Sequence, residues 1–429
     1  MTTKFVKLMA TGCLIALAAC TSNADIDDQN IRTRQDIELT VPEAEMALNF
    51  YEYPVDLLLS AYQNEPEGNV LVSPLSSSMV LGMIANAIDS DQRENLLKAL
   101  NIEKDQLQLF NEYNGKLMKN LPSIDKSAIF NINNGFWLKN SGTMSKEYTG
   151  VLDNHFNAYS STFDNFNSSV LAEINNWISD KTNNAIKDLL TEKDITSQIV
   201  SLWVNALYFK GNWMVKFDEE KTAPAVFYSN YPDKSSSSEV TMMRGSKFPH
   251  AYAYVPEGLR DIDANAIVSV MLPYGNESFI FNAILPSENE PDIIATLKRL
   301  TPDYWKIVDK ICDYKVEEGG ITATLPKMHI EKTTDLIPLL QTMGMSEIFT
   351  GVSMQENLGL TNDVCIGLFR QKVVLDVDEK GSEAKVATVA AGMVAATPPT
   401  VIEFNRPFIY FIRERSKGSV ILAGVYSHP

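Results

Sequence analysis

The sequence predicts an α+β protein in which helices gather in the first third and short strands dominate the rest. Three observations carry this. Residues 41–118 read as successive helices, strand-like apolar runs recur from Phe130 to Tyr426, and nothing between residues 40 and 429 is poor enough in apolar residues to be a linker. Residues 40–429 are therefore predicted to form one domain. With 45% apolar residues among 429, the chain can bury a large core, and its 4 Cys cannot make a disulfide scaffold. The 37 Lys+Arg stand against 54 Asp+Glu, a net charge of −17 that disfavours nucleic acid as a partner.

The elements follow in order. Val41-Pro42-Glu43 opens a helix predicted to run through Tyr51 and Leu57, with Pro42 in the first turn, where its missing N–H costs nothing. Ser73-Pro74 starts a second, Leu75 to Ala87, and Asp91–Leu100 and Lys104–Met118 read as two more. Strands are predicted at Phe130–Leu138, Ile199–Phe209, Ala266–Leu272, Phe279–Leu285, Val373–Val377, Phe408–Arg413 and Val420–Tyr426. Helices near Leu171–Asn183 and Asp292–Arg299 interrupt them.

The amino terminus reads as an export signal. Lys4 and Lys7 precede an apolar run, Leu8 to Ala19, too short to span a bilayer as a helix. Leu17-Ala18-Ala19-Cys20 resembles the lipobox of bacterial lipoproteins, in which the cysteine is acylated and becomes the first mature residue. An ordinary secretory signal cleaved nearby is the alternative. Residues 1–19 are thus expected to be a signal peptide, Cys20 the lipidation site, and residues 20–39, polar and acidic, a flexible tether. The expected location is the cell envelope, facing the periplasm or the exterior, with membrane contact through the lipid only. Cys312 and Cys365 could pair in such a compartment, and spacing does not decide it.

Enzyme machinery is not evident. The chain has no G-x-S-x-G, H-E-x-x-H, P-loop or G-x-G-x-x-G. His155, His250, His329 and His428 lack metal-ligand spacing, so no catalytic residue, metal or cofactor is expected.

The segment Glu379 to Pro399 fits an ordinary fold least well. About twenty residues join two predicted strands, longer than connections usually run, yet they are built from Ala, Val, Gly and Thr. Ser382, Ala384, Val386, Thr388, Ala390 and Gly392 form one alternating set, all small and uncharged, while Glu383 and Lys385 open the other. A period of two suits a strand with one face packed, and small inward groups suit one that must slide between neighbours. A buried helix or an apolar strand of the resting fold is the competing reading.

Asn69-Val70-Leu71-Val72-Ser73-Pro74-Leu75-Ser76, Asn205-Ala206-Leu207-Tyr208-Phe209-Lys210-Gly211-Asn212-Trp213, Leu325-Pro326-Lys327, Glu379-Lys380-Gly381-Ser382-Glu383-Ala384, Phe404-Asn405-Arg406-Pro407-Phe408 and Leu422-Ala423-Gly424-Val425 stand in serpin order. On these motifs residues 40–429 resemble the serpin family. The resemblance implies about nine helices, three β-sheets and an exposed reactive loop, with protease trapping by loop insertion into a central sheet. It implies a hinge of Glu379, Gly381, Ser382, Ala384 and Val386. It further implies sheet-opening support from Lys327 (paired with Glu379), Trp213, Ser73, Ser76 and Asn205, with Gln371 standing where the family commonly has histidine. Lys385 is a second departure, expected to point outward. From Glu379 to the scissile bond is about sixteen residues, an inserted strand of roughly 50 Å.

Counting the family's spacing forward from Glu379 puts the reactive bond between Ala395 and Ala396; counting back from Pro407 puts it after Ala396, and Met393 or Val394 are alternative baits. Val394-Ala395 suits a small, shallow primary pocket, as in elastase. The expected partner is an elastase-like serine protease, with cysteine proteases a second class, and the chain is expected to be a monomer. A non-inhibitory binding protein of the same fold is the alternative function.

Overall fold

Residues 34–89, 92–254, 265–312, 320–381 and 401–429 are described by a computed structural model. The chain forms α1 (Val41–Asn49), α2 (Glu52–Asn64), β1 (Val70–Val72), α3 (Pro74–Ala87), α4 (Glu94–Ala99) and α5 (Leu107–Asn120). It continues with β2 (Ile129–Lys139), α6 (Lys146–Val151), β3 (Ala158–Phe163), α7 (Ser168–Lys181), β4 (Ser201–Lys210), β5 (Asp218–Tyr228), β6 (Ser237–Phe248) and β7 (His250–Tyr254). Next come β8 (Ile267–Pro273), β9 (Phe279–Leu285), α8 (Ile293–Leu297), α9 (Pro302–Cys312), β10 (Ile321–Pro326) and β11 (Met328–Asp335). The last elements are α10 (Ile337–Thr342), α11 (Glu347–Thr350), α12 (Gln355–Leu358), β12 (Arg370–Val377), β13 (Val401–Glu403), β14 (Phe408–Glu414) and β15 (Val420–Tyr426).

Among the described residues the strands form a six-stranded sheet, β1-β15-β14-β9-β8-β7, and a four-stranded sheet, β13-β10-β6-β5. Two smaller groups, β3-β2-β4 and β11-β12, complete the set. Here β4 pairs only with β2, and β12 only with β11. The large central sheet expected from the resemblance thus appears as two half-sheets, with β4 and β12 as the edges that face a common cleft.

Helix α3 explains why the layers close over this cleft. Its sequence is apolar or small all round and every residue of it is buried, so it can only be a core helix. Ser73 caps it by accepting the Ser76 N–H at 3.2 Å, and Pro74 occupies the first turn. α3 packs on both β15 and β4. On β4 the alternation is clean: Leu202, Val204 and Ala206 join a second apolar cluster with α7, while Trp203 and Leu207 pack against the main core.

Two expectations need correction. The helix predicted from Val41 through Leu57 is two helices, broken at Phe50 and Tyr51. Pro54 cannot donate to the Phe50 carbonyl and its ring would clash there, so the first helix stops and a second begins. Residues 34–39, taken with the tether above, lie against the body. Ile37 is fully buried and its N–H donates to Ser416 Oγ at 2.9 Å. The Gln35 N–H donates to Ser278 Oγ, which in turn donates to the Gln35 carbonyl. Residues 1–33, with the signal-peptide and Cys20 expectations, fall outside the described residues. No described helix is long and apolar enough to cross a membrane.

Candidate functional site: the hinge seat and the cleft

β12 ends at Val377, and the chain turns through Asp378 to Gly381. Three backbone and side-chain contacts hold this turn. The Phe217 N–H donates to the Glu379 carbonyl at 3.2 Å, the Trp213 N–H to the Lys380 carbonyl at 3.3 Å, and Trp213 Nε1 to the Asp378 carbonyl at 2.8 Å. Trp213 is fixed in turn by stacking on Tyr274, centroids 4.3 Å apart and planes 14° from parallel. Gly381 has φ +57°, a left-handed conformation that glycine adopts without penalty.

Glu379 is buried and pairs with Lys327, Oε2 to Nζ 2.8 Å. Burial alone would push its carboxyl up. The Lys327 ammonium, the residue's own backbone and the Thr222 hydroxyl outweigh that and hold it below the usual glutamate range. Lys327 is raised in return, chiefly by the Glu379 carboxylate. This ion pair ties the hinge to the end of β10, since the Lys327 N–H also donates to the Thr241 carbonyl on β6 at 2.8 Å.

Below the hinge seat lies the cleft between the half-sheets, a narrow cavity of about 60 Å³. Ser73, Ser76, Asn205 and Gln371 all line it. The structure brings three of them together. Gln371 accepts the Ser73 N–H at 2.7 Å through Oε1 and donates to the Ser73 carbonyl at 2.9 Å through Nε2. The Ser73 hydroxyl donates to the Ile421 carbonyl at 2.7 Å and accepts from Ser76 N–H. Asn205 stands on the opposite wall and donates instead to Asn134 on β2, 2.8 Å away, which donates to the Phe156 carbonyl. Among the described residues Asn205 Oδ1 and Ser201 Oγ, both on β4, are buried without a hydrogen-bond partner.

Ser382, Ala384, Val386, Lys385 and the Ala395–Ala396 bond lie outside the described residues. His329 is an exposed strand residue, 2.6 Å from Asp376 across β11 and β12. Cys365 carries a free thiol directed at the Thr350 carbonyl. No described group of three or more His, Cys, Asp or Glu could hold a metal. Sequence reasoning missed Tyr274, Thr222 and Asn134, the residues that hold Trp213, Glu379 and Asn205 in place. Only Asn134 had a local signal, as a polar residue inside a predicted strand.

The whole arrangement of sheets, central helix and hinge turn has counterparts of known structure. The native thermophilic serpin tengpin matches with TM-score 0.74 over 92% of this chain and 96% of its own, at 24% identity. Thyroxine-binding globulin complexed with thyroxine matches with TM-score 0.73 over 90% of this chain and 99% of its own, at 20% identity. Those likenesses show the fold. By sequence, human serpin B3 is 27% identical over 87% of this chain and 96% of its own length. Bovine leukocyte elastase inhibitor is 27% identical over 88% and 97%. The family model described as serpin (serine protease inhibitor) matches residues 51–429, so the chain, hinge seat and cleft included, belongs to the serpin family.

Proposed function

We propose that this serpin is a suicide-substrate inhibitor of serine proteases with a small primary pocket, elastase-like in preference. Serpins are generally protease inhibitors rather than enzymes. The observation that carries the reading is the cleft with open β4 and β12 edges directly below a fixed hinge turn. In the proposed reaction the protease serine attacks the Ala395 carbonyl, the amine of Ala396 leaves, and the acyl-enzyme forms. The freed loop then enters the cleft with Ser382, Ala384 and Val386 inward, and its ladder hydrogen bonds, ~0.5–1.5 kcal/mol each, total on the order of 10 kcal/mol. That rivals the stability of a whole domain and suffices to distort a captured protease.

Val394-Ala395 before the bond supports elastase-like preference, and one sequence relative is named for inhibiting leukocyte elastase. Pro398 and Pro399 stiffen the segment beyond the bond and cannot themselves join a central strand. We propose in addition that Cys20 is acylated and that the protein acts as a monomer held at a bacterial envelope by that lipid. Mixing purified protein with an elastase is expected to give an adduct that survives boiling in detergent, with its mass locating the cut at Ala395. Clean cleavage without an adduct would leave a substrate or binding protein. Loss of the lipid-modified mass in a Cys20→Ala variant checks the anchor.

A further inference from the structure

Where β2 begins and β4 ends, the described surface leaves two large apolar side chains bare, Ile129 at 49% exposure and Met214 at 37%. Lys210 stands directly opposite Ile129 across the β2–β4 ladder, so the two share a face. Hydrogen bonds join the neighbouring turns. Asn212 Nδ2 donates to the Ser127 carbonyl at 3.0 Å, and the Met214 N–H to the Pro273 carbonyl at 2.9 Å. Lys126 and Lys216 lie on those turns. Lys126, Lys210 and Lys216 are all exposed, and among the described residues none of them is ion-paired. The neighbouring carboxylates are engaged elsewhere. Asp125 is buried and accepts from the N–H and hydroxyl of Ser127, Glu277 pairs with Arg415, Asp218 with Lys221, and Glu219 with Lys380. A chain of net charge −17 thus carries here a basic spot with apolar groups inside it. The start of the described chain is tied to the same region. Ser278 Oγ accepts the Gln35 N–H at 3.3 Å, and Asn276, in the same turn, donates to the Ile124 carbonyl at 2.7 Å, two residues before Lys126.

We propose that Lys126, Lys210 and Lys216, with Ile129 and Met214 among them, dock on an anionic phospholipid surface, the one in which Cys20 is anchored. The inference rests on the acylation reading above. Cys20 stands fourteen positions before Arg34, a stretch that spans at most roughly 50 Å. The lipid therefore holds this region of the body close to the headgroups. Lysine ammonium groups meet the headgroup phosphates, and the isoleucine and methionine enter the boundary beneath them. The net negative charge does not forbid this, because at physiological ionic strength a surface senses only groups within about 8 Å. Three lysines bind weakly alone, but the tether makes docking intramolecular, so a weak contact suffices. Trp213, on which the hinge turn rests, immediately precedes Met214. A docked molecule thus presents the root of its reactive loop beside the lipid.

The test places the chain from residue 20 onward on phosphatidylcholine vesicles, with or without about a third phosphatidylglycerol. One arm uses the acylated protein. The other uses Cys20→Ser, held on a nickel-chelating lipid by a histidine tag at its amino end. Acetylation by an amine-reactive ester is read residue by residue by mass spectrometry. On the anionic vesicles it is expected to slow about tenfold or more at Lys126, Lys210 and Lys216, and to stay unchanged at the exposed Lys98 and Lys181. Lys210→Gln should weaken the protection of Lys126 and Lys216 about fivefold, one lysine's share near such a surface. Ile129→Ser should weaken it as well. Equal rates on the two vesicles in the tagged arm, undiminished protection in Lys210→Gln, or the same protection from free glycerol phosphate would overturn the docking surface. Protection in the tagged arm, with no acyl mass at Cys20 in the other, would refute the anchor while leaving the surface standing.

Discussion

Trp213 leaves no room for a side chain at Gly381: a Cβ there would lie 2.3 Å from the Trp213 nitrogen and 2.8 Å from the Gly211 carbonyl oxygen. Both obstacles are backbone, so neither can swing aside. Replacing Gly381 with Ala is expected to unseat the hinge from Phe217 and Trp213, beyond the ~1 kcal/mol usual for a left-handed site. Faster amide exchange at Trp213 and Phe217, with less adduct per molecule cleaved, is the expected result; an unchanged adduct yield would show that the seat is dispensable.

Gln371→Ala tests the join between β12 and α3. The substitution strands the buried N–H of Ser73, at a cost of about 1–3 kcal/mol, while its carbonyl keeps the Ser77 N–H at 3.1 Å and the Ser77 hydroxyl at 3.2 Å. A lowered denaturation midpoint is expected, read on the uncleaved protein. Gln371→His should recover only part of the loss, because an imidazole cannot offer the same paired donor and acceptor to the N–H and carbonyl of one residue.

The Lys327–Glu379 pair sets an acid limit on the hinge. Because Glu379 is held below the usual range, its contribution is complete at neutral pH. That contribution is lost as pH falls through the lowered value, beneath where an ordinary glutamate protonates. Lys327 is shifted upward, so the alkaline limit lies above the ordinary lysine range. Limited proteolysis at the hinge should therefore stay flat across neutral pH and rise in acid. Glu379→Gln should be cut readily at all pH values; an acid rise that persists in Glu379→Gln would assign the effect elsewhere.

Ser382→Arg places a charge at the first inward position of the proposed strand. Burying it unpaired should turn inhibitor into substrate, lowering adduct yield by an order of magnitude or more at normal cleavage. Equal yields would remove the insertion step from the mechanism.

What could be read in advance divides by chemistry. Phe279–Leu285 and Val420–Tyr426 matched to the residue because both are buried on two faces and bounded by polar turns. No strand was predicted where β5 lies: Asp218-Glu219-Glu220-Lys221 and Pro224 are poor strand formers, tolerated because β5 is the edge of its sheet. Gly381, Glu379 and Lys327 stood out through a family resemblance. Tyr274 and Asn134 did not, since each acts through a neighbour distant in sequence. The break at Phe50 was legible in Pro54 but was masked by good helix formers on either side.

The seating of Gln35 and Ile37 has a mechanical consequence. Ser278, which exchanges hydrogen bonds with Gln35, follows closely on Tyr274, the ring that supports Trp213. Traction applied upstream of Arg34 would thus be delivered within a few residues of the ring on which Trp213, and through it the hinge turn, rests.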